Sequence, residues 1–245
     1  MGASVTDAAS LGTIVGIWAH PDDDIFLSAG LMAVAVRAGQ RVIDVTATRG
    51  EGGSMDEERW PSATMGEVRT EELLRSLEIL GVTEHRFLDG PVDIDMDAHL
   101  DDAGAAQVRQ IIEEIQPDTI LTFGPDGMTG HQGHKDVCRW ATEAFEAAGV
   151  PGSRLYYATQ TPAFVEEVVP LIERFNIFRP GTPPVTLREE LGIDFRADEE
   201  LLDLKLASLT AHESQIEGLL EVFGVQGLRR FIRDESYREA GRKEG

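Results

Sequence analysis

The chain has 245 residues, 42% of them apolar, which excludes a disordered protein and suits one globular α/β domain with a sizeable core. Its net charge of -22 argues against nucleic acid and anionic membranes as partners, because both are bound through basic patches. One cysteine, Cys138, leaves no internal disulfide. No signal-peptide pattern or membrane-length apolar run is visible, and together these predict a cytoplasmic protein with no membrane insertion.

Residues 1–12 are small and polar and predict a loose tail, followed by a single domain over 13–245. Thr13–Ala19 reads as the first strand, and 25–38 as a helix ending at Gly39. Arg41–Thr48 alternates and is rich in Val, Ile and Thr, so it reads as the second strand. It opens into the flexible loop Arg49-Gly50-Glu51-Gly52-Gly53-Ser54. A helix over 65–80 stops at Gly81. A short third strand, His85–Leu88, runs into the turn Asp89-Gly90-Pro91, and the acidic stretch from Val92 to Asp101 reads as surface loop. Beyond it the pattern predicts a helix over 102–115, a fourth strand Asp118–Phe123, a glycine-rich loop with two histidines, and a helix from Lys135 to Ala148. The fifth strand is Arg154–Thr159. Residues 163–175 look helical. The proline-bearing segment 176–197 is irregular, with a short strand near Ile193–Phe195, and helices cover 198–211 and most of 213–234.

Alternating strands and helices predict an α/β fold with a mainly parallel central sheet covered on both faces. Ligands of such sheets sit at the C-terminal strand ends, where the strand order reverses. With the order 3-2-1-4-5, the first and fourth strands are neighbours at that point. Two chemically loaded stretches follow those two strands: Ala19-His20-Pro21-Asp22-Asp23-Asp24, and Gly130-His131-Gln132-Gly133-His134. Carboxylates at a helix start are stabilised by the dipole without any function, and a lone loop histidine is usually solvated. The pairing of the two stretches favours chemistry instead. His20, Asp23 and His134 make a His₂-carboxylate set, the pattern of a catalytic metal with an open position. Zn2+ is the first choice, and such donors also suit Fe2+ or another divalent metal. A metal of this kind lowers the pKa of bound water to about 7 and polarises a carbonyl. Asp22 is then placed to take a proton, and His131 to stabilise an oxyanion or protonate a leaving amine. His85 and His99 read as structural or surface residues. The glycine-rich loop lacks the Lys-Ser/Thr ending of a phosphate loop, and no dinucleotide fingerprint follows the first strand.

Ala19-His20-Pro21-Asp22-Asp23, Gly50-Glu51 and Gly130-His131 through His134 resemble the PIG-L/LmbE-like family of metal-dependent N-acetylglucosaminyl deacetylases. The resemblance covers most of the chain, continuing through Glu67-Val68-Arg69, Asp89-Gly90, Lys205, Ala207 and His212-Glu213-Ser214-Gln215. It implies the Rossmann-like three-layer sandwich of the LmbE-like fold, with metal ligands His20, Asp23 and His134, Asp22 as general base, and His131 at the tetrahedral intermediate. Arg69 and Asp89 would contact the sugar. The implied partner is a small N-acetylated amino sugar or glycoconjugate, and a homo-oligomer is left open. The segment with His212 and Gln215 reads as structural support near the site. Two departures stand out: Gln132-Gly133 where the family has Pro-Asp, and Asp24 where it has Glu. The residues themselves leave two alternatives open, a metallohydrolase of a non-sugar amide or ester, and a non-catalytic metal- or sugar-binding homologue.

Overall fold

A computed structural model describes residues 7–241, apart from the side chain of Arg174. Its sheet is built from β1 (Ile14–Trp18), β2 (Val42–Thr46), β3 (Glu84–Phe87), β4 (Thr119–Thr122), β5 (Arg154–Thr159), β6 (Ile193–Arg196) and β7 (Asp234–Glu239). The spatial order is β3-β2-β1-β4-β5-β7-β6. The first five strands are parallel and carry the expected order 3-2-1-4-5, with Ile14 of β1 opposite both Val42 and Thr119. β7 pairs antiparallel with β5 and with β6. β1, β2 and β4 are buried along their whole length, so the alternation in Arg41–Thr48 does not mark a solvent-facing side.

The helices are α1 (Asp23–Arg37), α2 (Met65–Leu80), α3 (Ala103–Ile115), α4 (Gln132–Ala148), α5 (Pro162–Glu167), α6 (Val169–Ile172), α7 (Glu199–Thr210) and α8 (Glu213–Ile232). Right-handed crossovers leave the β1/β4 seam in opposite directions, so they place their helices on opposite faces. α3 packs on α4 in one layer, and α1 and α2 pack with α7 and α8 in the other. The main core between the layers includes Ile17, Trp18, Leu31, Ile43, Phe123, Trp140 and Tyr156.

Two expectations need correction, and two features lie beyond what was expected. The loose tail holds for none of 7–12: Ala8–Ser10 is a 3-10 turn, and Ala8 and Leu11 are buried against the core, while 1–6 lie outside the described residues. The helix expected over 163–175 is broken into α5, α6 and a 3-10 turn, because Pro170 has no N–H to donate. α8 carries a non-helical residue at Gly224, φ 58°. No element is expected beyond 234, and 234–239 forms a strand. Its sequence, Asp-Glu-Ser-Tyr-Arg-Glu, carries too much charge to read as the inner strand it is.

That strand works because one of its charges is matched. Glu235 is buried, and it accepts from Lys205 Nζ of α7 at 2.5 Å and from the backbone N–H groups of Gly30 and Leu31 of α1 at 2.7 and 2.9 Å. The Tyr237 hydroxyl donates to Leu27 O at 2.8 Å. β7 is thereby stitched to α1, the helix that carries Asp23. Gly30 permits the approach: a Cβ there would stand 2.7 Å from Phe195 Cε1 and 3.1 Å from Glu235 Oε1. Removing one partner of a buried pair leaves the other uncompensated. Lys205→Met is expected to lower the unfolding free energy by about 3 kcal/mol in urea titration. The double variant Lys205→Met/Glu235→Gln should recover part of that loss, and additive losses would show that the two groups are not coupled.

Candidate metal centre

β1 and β4 end side by side, and the two loaded loops leave from those ends. His20 follows β1, and Pro21 leads into Asp22, which adopts φ 112°. That is a left-handed conformation a non-glycine residue rarely takes. Asp22 occupies the N-cap position of α1, yet its side chain makes no capping bond. Capping therefore does not explain this carboxylate. Asp23 turns back instead, and its Oδ2 accepts the N–H of His20 at 2.8 Å. Across the seam, His131 caps α4: its Nδ1 accepts the N–H of Gly133 at 3.1 Å. His134 lies in the first turn of α4, with its ring stacked on Phe123 at 4.0 Å and 9°.

Three donor atoms converge. His20 Nδ1 lies 3.1 Å from His134 Nε2; Asp23 Oδ2 is 3.4 Å from the former, and Asp23 Oδ1 is 3.4 Å from the latter. His134 Nδ1 is 2.9 Å from Gly127 O, an atom that only accepts, so the proton is on Nδ1 and Nε2 presents a lone pair. His20 Nε2 faces the Asp93 carboxylate, with Oδ1 3.5 Å away, and its Nδ1 faces His134 Nε2. The His134 lone pair and the Asp23 carboxylate converge with His20 Nδ1 at a point where a cation, either the proton on His20 or a metal ion in its place, must lie among them. Ligand atoms of a tetrahedral metal with bonds of about 2.0–2.2 Å lie about 3.3–3.6 Å apart, so the spacing fits such a group. His131 also offers a nitrogen within 4.8 Å of the other two imidazoles, but its Nδ1 lone pair is engaged by Gly133. Its Nε2 is the nitrogen that bears hydrogen.

The protonation pattern agrees. Burial works against charge on His20, but Asp23 and Asp93 outweigh it and raise its pKa to about 9. Burial holds His134 down to about 4, and burial with the neighbouring His20 and His134 holds His131 down to about 3. Despite their own burial, Asp23 is held ionised by His134 and His20, and Asp93 by His20. The metal-free cluster thus keeps one cation, a proton on His20, among fixed negative charges. Asp22 differs: burial lifts it to about 7, against the pull of Arg69.

Arg69, from α2, is 4% exposed, and its guanidinium is fully directed inward. It lies 3.2 Å from Asp22 Oδ2 and donates to Pro21 O at 2.5 Å and Gly50 O at 3.3 Å. Gly50, at φ 67°, is required: a Cβ there would meet Arg69 Nη1 at 2.2 Å. The cluster forms one end of a cavity of about 900 Å³ that Arg69 also lines. Asp89, expected to contact a sugar, is not brought there. It is exposed, and its backbone is fastened to the Gln107 side chain at 2.7 and 2.8 Å. Asp93, four residues on, faces the cavity instead, so the stretch 92–101 is not simply surface loop. Its position after the C-terminal end of a parallel strand was the available signal. Gln215 lines the cavity and donates to Gly53 O at 2.9 Å, and Ser214 Oγ donates to Glu72 Oε2 at 2.7 Å, so the start of α8 braces the glycine loop. At the Gln132-Gly133 departure, a Cβ on residue 133 would lie 3.3 Å from His131 Nδ1, tighter than ordinary contact. Glycine lets that ring lie over the helix end. His85 and His99 are structural: the former meets Thr46 Oγ1 at 3.1 Å, the latter Asp136 at 3.0 Å.

A family model described as PIG-L, GlcNAc-PI de-N-acetylase, matches residues 15–145. A 1D-myo-inositol 2-acetamido-2-deoxy-alpha-D-glucopyranoside deacetylase of Saccharomonospora viridis is 29% identical over 226 residues, covering 82% of this chain and 84% of its own. The N,N'-diacetylchitobiose deacetylase of Pyrococcus horikoshii superposes with a TM-score of 0.65 at 19% identity, over 96% of this chain and 85% of that one. The zinc-inhibited form of a teicoplanin deacetylase superposes with a TM-score of 0.63 at 17% identity, over 95% of this chain and 100% of that one. These two likenesses are of fold.

Carboxylates that hold the far nitrogen of a ligating histidine typically contribute 10–100-fold to metal affinity. Asp93→Asn is therefore expected to weaken zinc binding by about 10–100-fold in competition with a chromophoric chelator. Unchanged affinity would show that Asp93 does not orient His20.

Proposed function

The chain belongs to the PIG-L family, and from that premise we propose that it is a metal-dependent hydrolase that removes the N-acetyl group from an amino sugar or an N-acetylglucosamine-containing conjugate. The observation that carries this reading is the convergence of His20 Nδ1, His134 Nε2 and Asp23 within 3.1–3.4 Å at the end of the cavity, with the Asp22 carboxylate beside them. His20, Asp23 and His134 would hold the metal, with zinc the first choice for such donors and iron or another divalent ion using the same set. When bound, the metal supplies Lewis acidity, lowering the pKa of water and polarising the amide carbonyl.

The chain's own groups do the rest. Asp22, free of any capping bond and held by Arg69 at 3.2 Å, accepts a proton from the water that attacks the amide carbon. Its strained backbone aims the carboxylate into the cavity rather than at the helix N–H groups. The Nδ1 bond to Gly133 fixes His131 as a neutral imidazole with its hydrogen on Nε2, so it meets the oxyanion of the tetrahedral intermediate as a hydrogen-bond donor. Collapse of that intermediate breaks the C–N bond, and the proton held by Asp22 passes to the departing nitrogen. Acetate and a free amine are the products. Arg69 serves first as the anchor of Asp22, since its bonds to Pro21 and Gly50 lock it there.

Two measurements test this reading. Amine release from N-acetylated amino sugars should stop with a chelator and return when zinc or ferrous iron is added back. Asp22→Asn should reduce turnover by about 10²–10⁴-fold while bound metal, measured by elemental analysis, stays at the wild-type level. A variant that keeps its turnover would remove Asp22 from the role of base.

A further inference from the structure

The metal donors occupy only one end of the cavity. Its volume, about 900 Å³, is at the upper end of sites that take drug-sized ligands, and an N-acetylated hexosamine fills a minor part of it. What surrounds the remainder is informative. Phe26 and Leu27 stand three and four residues after Asp23 on α1, so they share the helix face of the ligand, one turn further out. The ring of Phe231, from the end of α8, meets Phe26 with centroids 5.1 Å apart. Leu219 of α8 and Ile177 and Phe178 of the segment after α6 complete this wall. All six are half-buried rather than sealed in the core, and none carries a hydrogen-bonding group in its side chain. A second sugar or an inositol, with a hydroxyl on almost every carbon, would lose water against this wall and gain no partner.

The charges around the cavity point the same way. Arg69 is the one cation other than histidine that lines it among the described residues, and Asp22, Pro21 and Gly50 engage it. Four more carboxylates line it: Asp56 and Asp95, which accept backbone N–H groups of their own turns and lie in the fields of Arg59 and Arg179, Glu217, which pairs with Arg59, and the exposed Glu221, so carboxylates outnumber the cations around them. An anionic substituent, such as a phosphate or a carboxylate, meets repulsion there.

We propose that the natural substrate of this site is an N-acetylated amino sugar glycosidically linked to an uncharged or cationic apolar aglycone, with the aglycone lying on the Phe26–Phe178–Phe231 wall. The proposal rests on the deacetylase reading above and sets this chain apart in specificity from relatives named for an inositol glycoside.

The test compares kcat/KM for amine release by the metal-loaded protein. The panel is octyl 2-acetamido-2-deoxyglucopyranoside in both anomers, below its micelle concentration, free N-acetylglucosamine, its inositol glycoside, diacetylchitobiose and N-acetylglucosamine 1-phosphate. The octyl glycoside is expected to exceed free N-acetylglucosamine by about 50-fold, the worth of burying roughly three methylenes, and the 1-phosphate to be the poorest. Phe178→Ser should cut the octyl advantage to about 10-fold or less, and Phe178→Leu should restore it. An inositol glycoside, chitobiose or 1-phosphate used as well as the octyl glycoside overturns the proposal while the deacetylase reading stands. If nothing in the panel releases amine, the deacetylase reading falls, and binding decides the subsite separately. Trp60 lines the cavity, whereas Trp18 and Trp140 are fully buried, so the change in tryptophan fluorescence reports occupancy. A saturable change with octyl glucosaminide, at concentrations where glucosamine gives none, supports the apolar subsite, and its absence overturns it.

Discussion

Two imidazole nitrogens and a carboxylate lie within 3.1–3.4 Å of one another, an arrangement that needs a cation among them, and the surrounding structure holds them there. The carbonyl of Gly127 accepts from His134 Nδ1, and the carboxylate of Asp93 faces His20 Nε2, so both rings are oriented from outside the cluster. Phe123 stacks on His134 and closes the remaining freedom of that ring. Part of the stability of the fold is therefore exchanged for a site that is poised to bind.

The same constraint explains the unusual backbone at Asp22. An aspartate at a helix start would normally bond the free N–H groups there. Holding it at φ 112° denies it those partners, and Arg69 supplies the compensating charge. The glycines at 50 and 53 then follow from packing, since any side chain at either would strike the guanidinium. Behind this front, Glu235 and Tyr237 of β7 fasten the middle of α1, so the helix bearing Asp23 cannot slide relative to the sheet. Phe26 and Leu27 follow Asp23 on the same helix, so the candidate metal centre and the apolar wall share one element.

Much of this was legible in the chain. The apolar run of β1 and the Val-, Ile- and Thr-rich β2 announced strands of a mainly parallel sheet, and the glycine stops at 39 and 81 marked helix ends. His20, Asp23 and His134 could be singled out because the strand order of such folds reverses between the first and fourth strands. Other parts were not legible. β7 carries four charged residues in six, and only the buried Lys205 makes its Glu235 tolerable inside the protein. Asp89 sat in a family-like turn and Asp93 in an acidic stretch, and nothing local separates a carboxylate that faces solvent from one that faces a histidine.

The sequence by itself determined the alternation of elements, the chemical types of the donors and the loops that carry them, because those depend on local periodicity and residue chemistry. Only the tertiary structure decided which nitrogen of each histidine points inward, that Asp93 rather than Asp89 joins the cluster, and that an apolar wall extends the site. Tautomers and facing directions are set by partners from other elements, often more than 70 residues away, as Asp93 is from His20. No local pattern encodes such a contact.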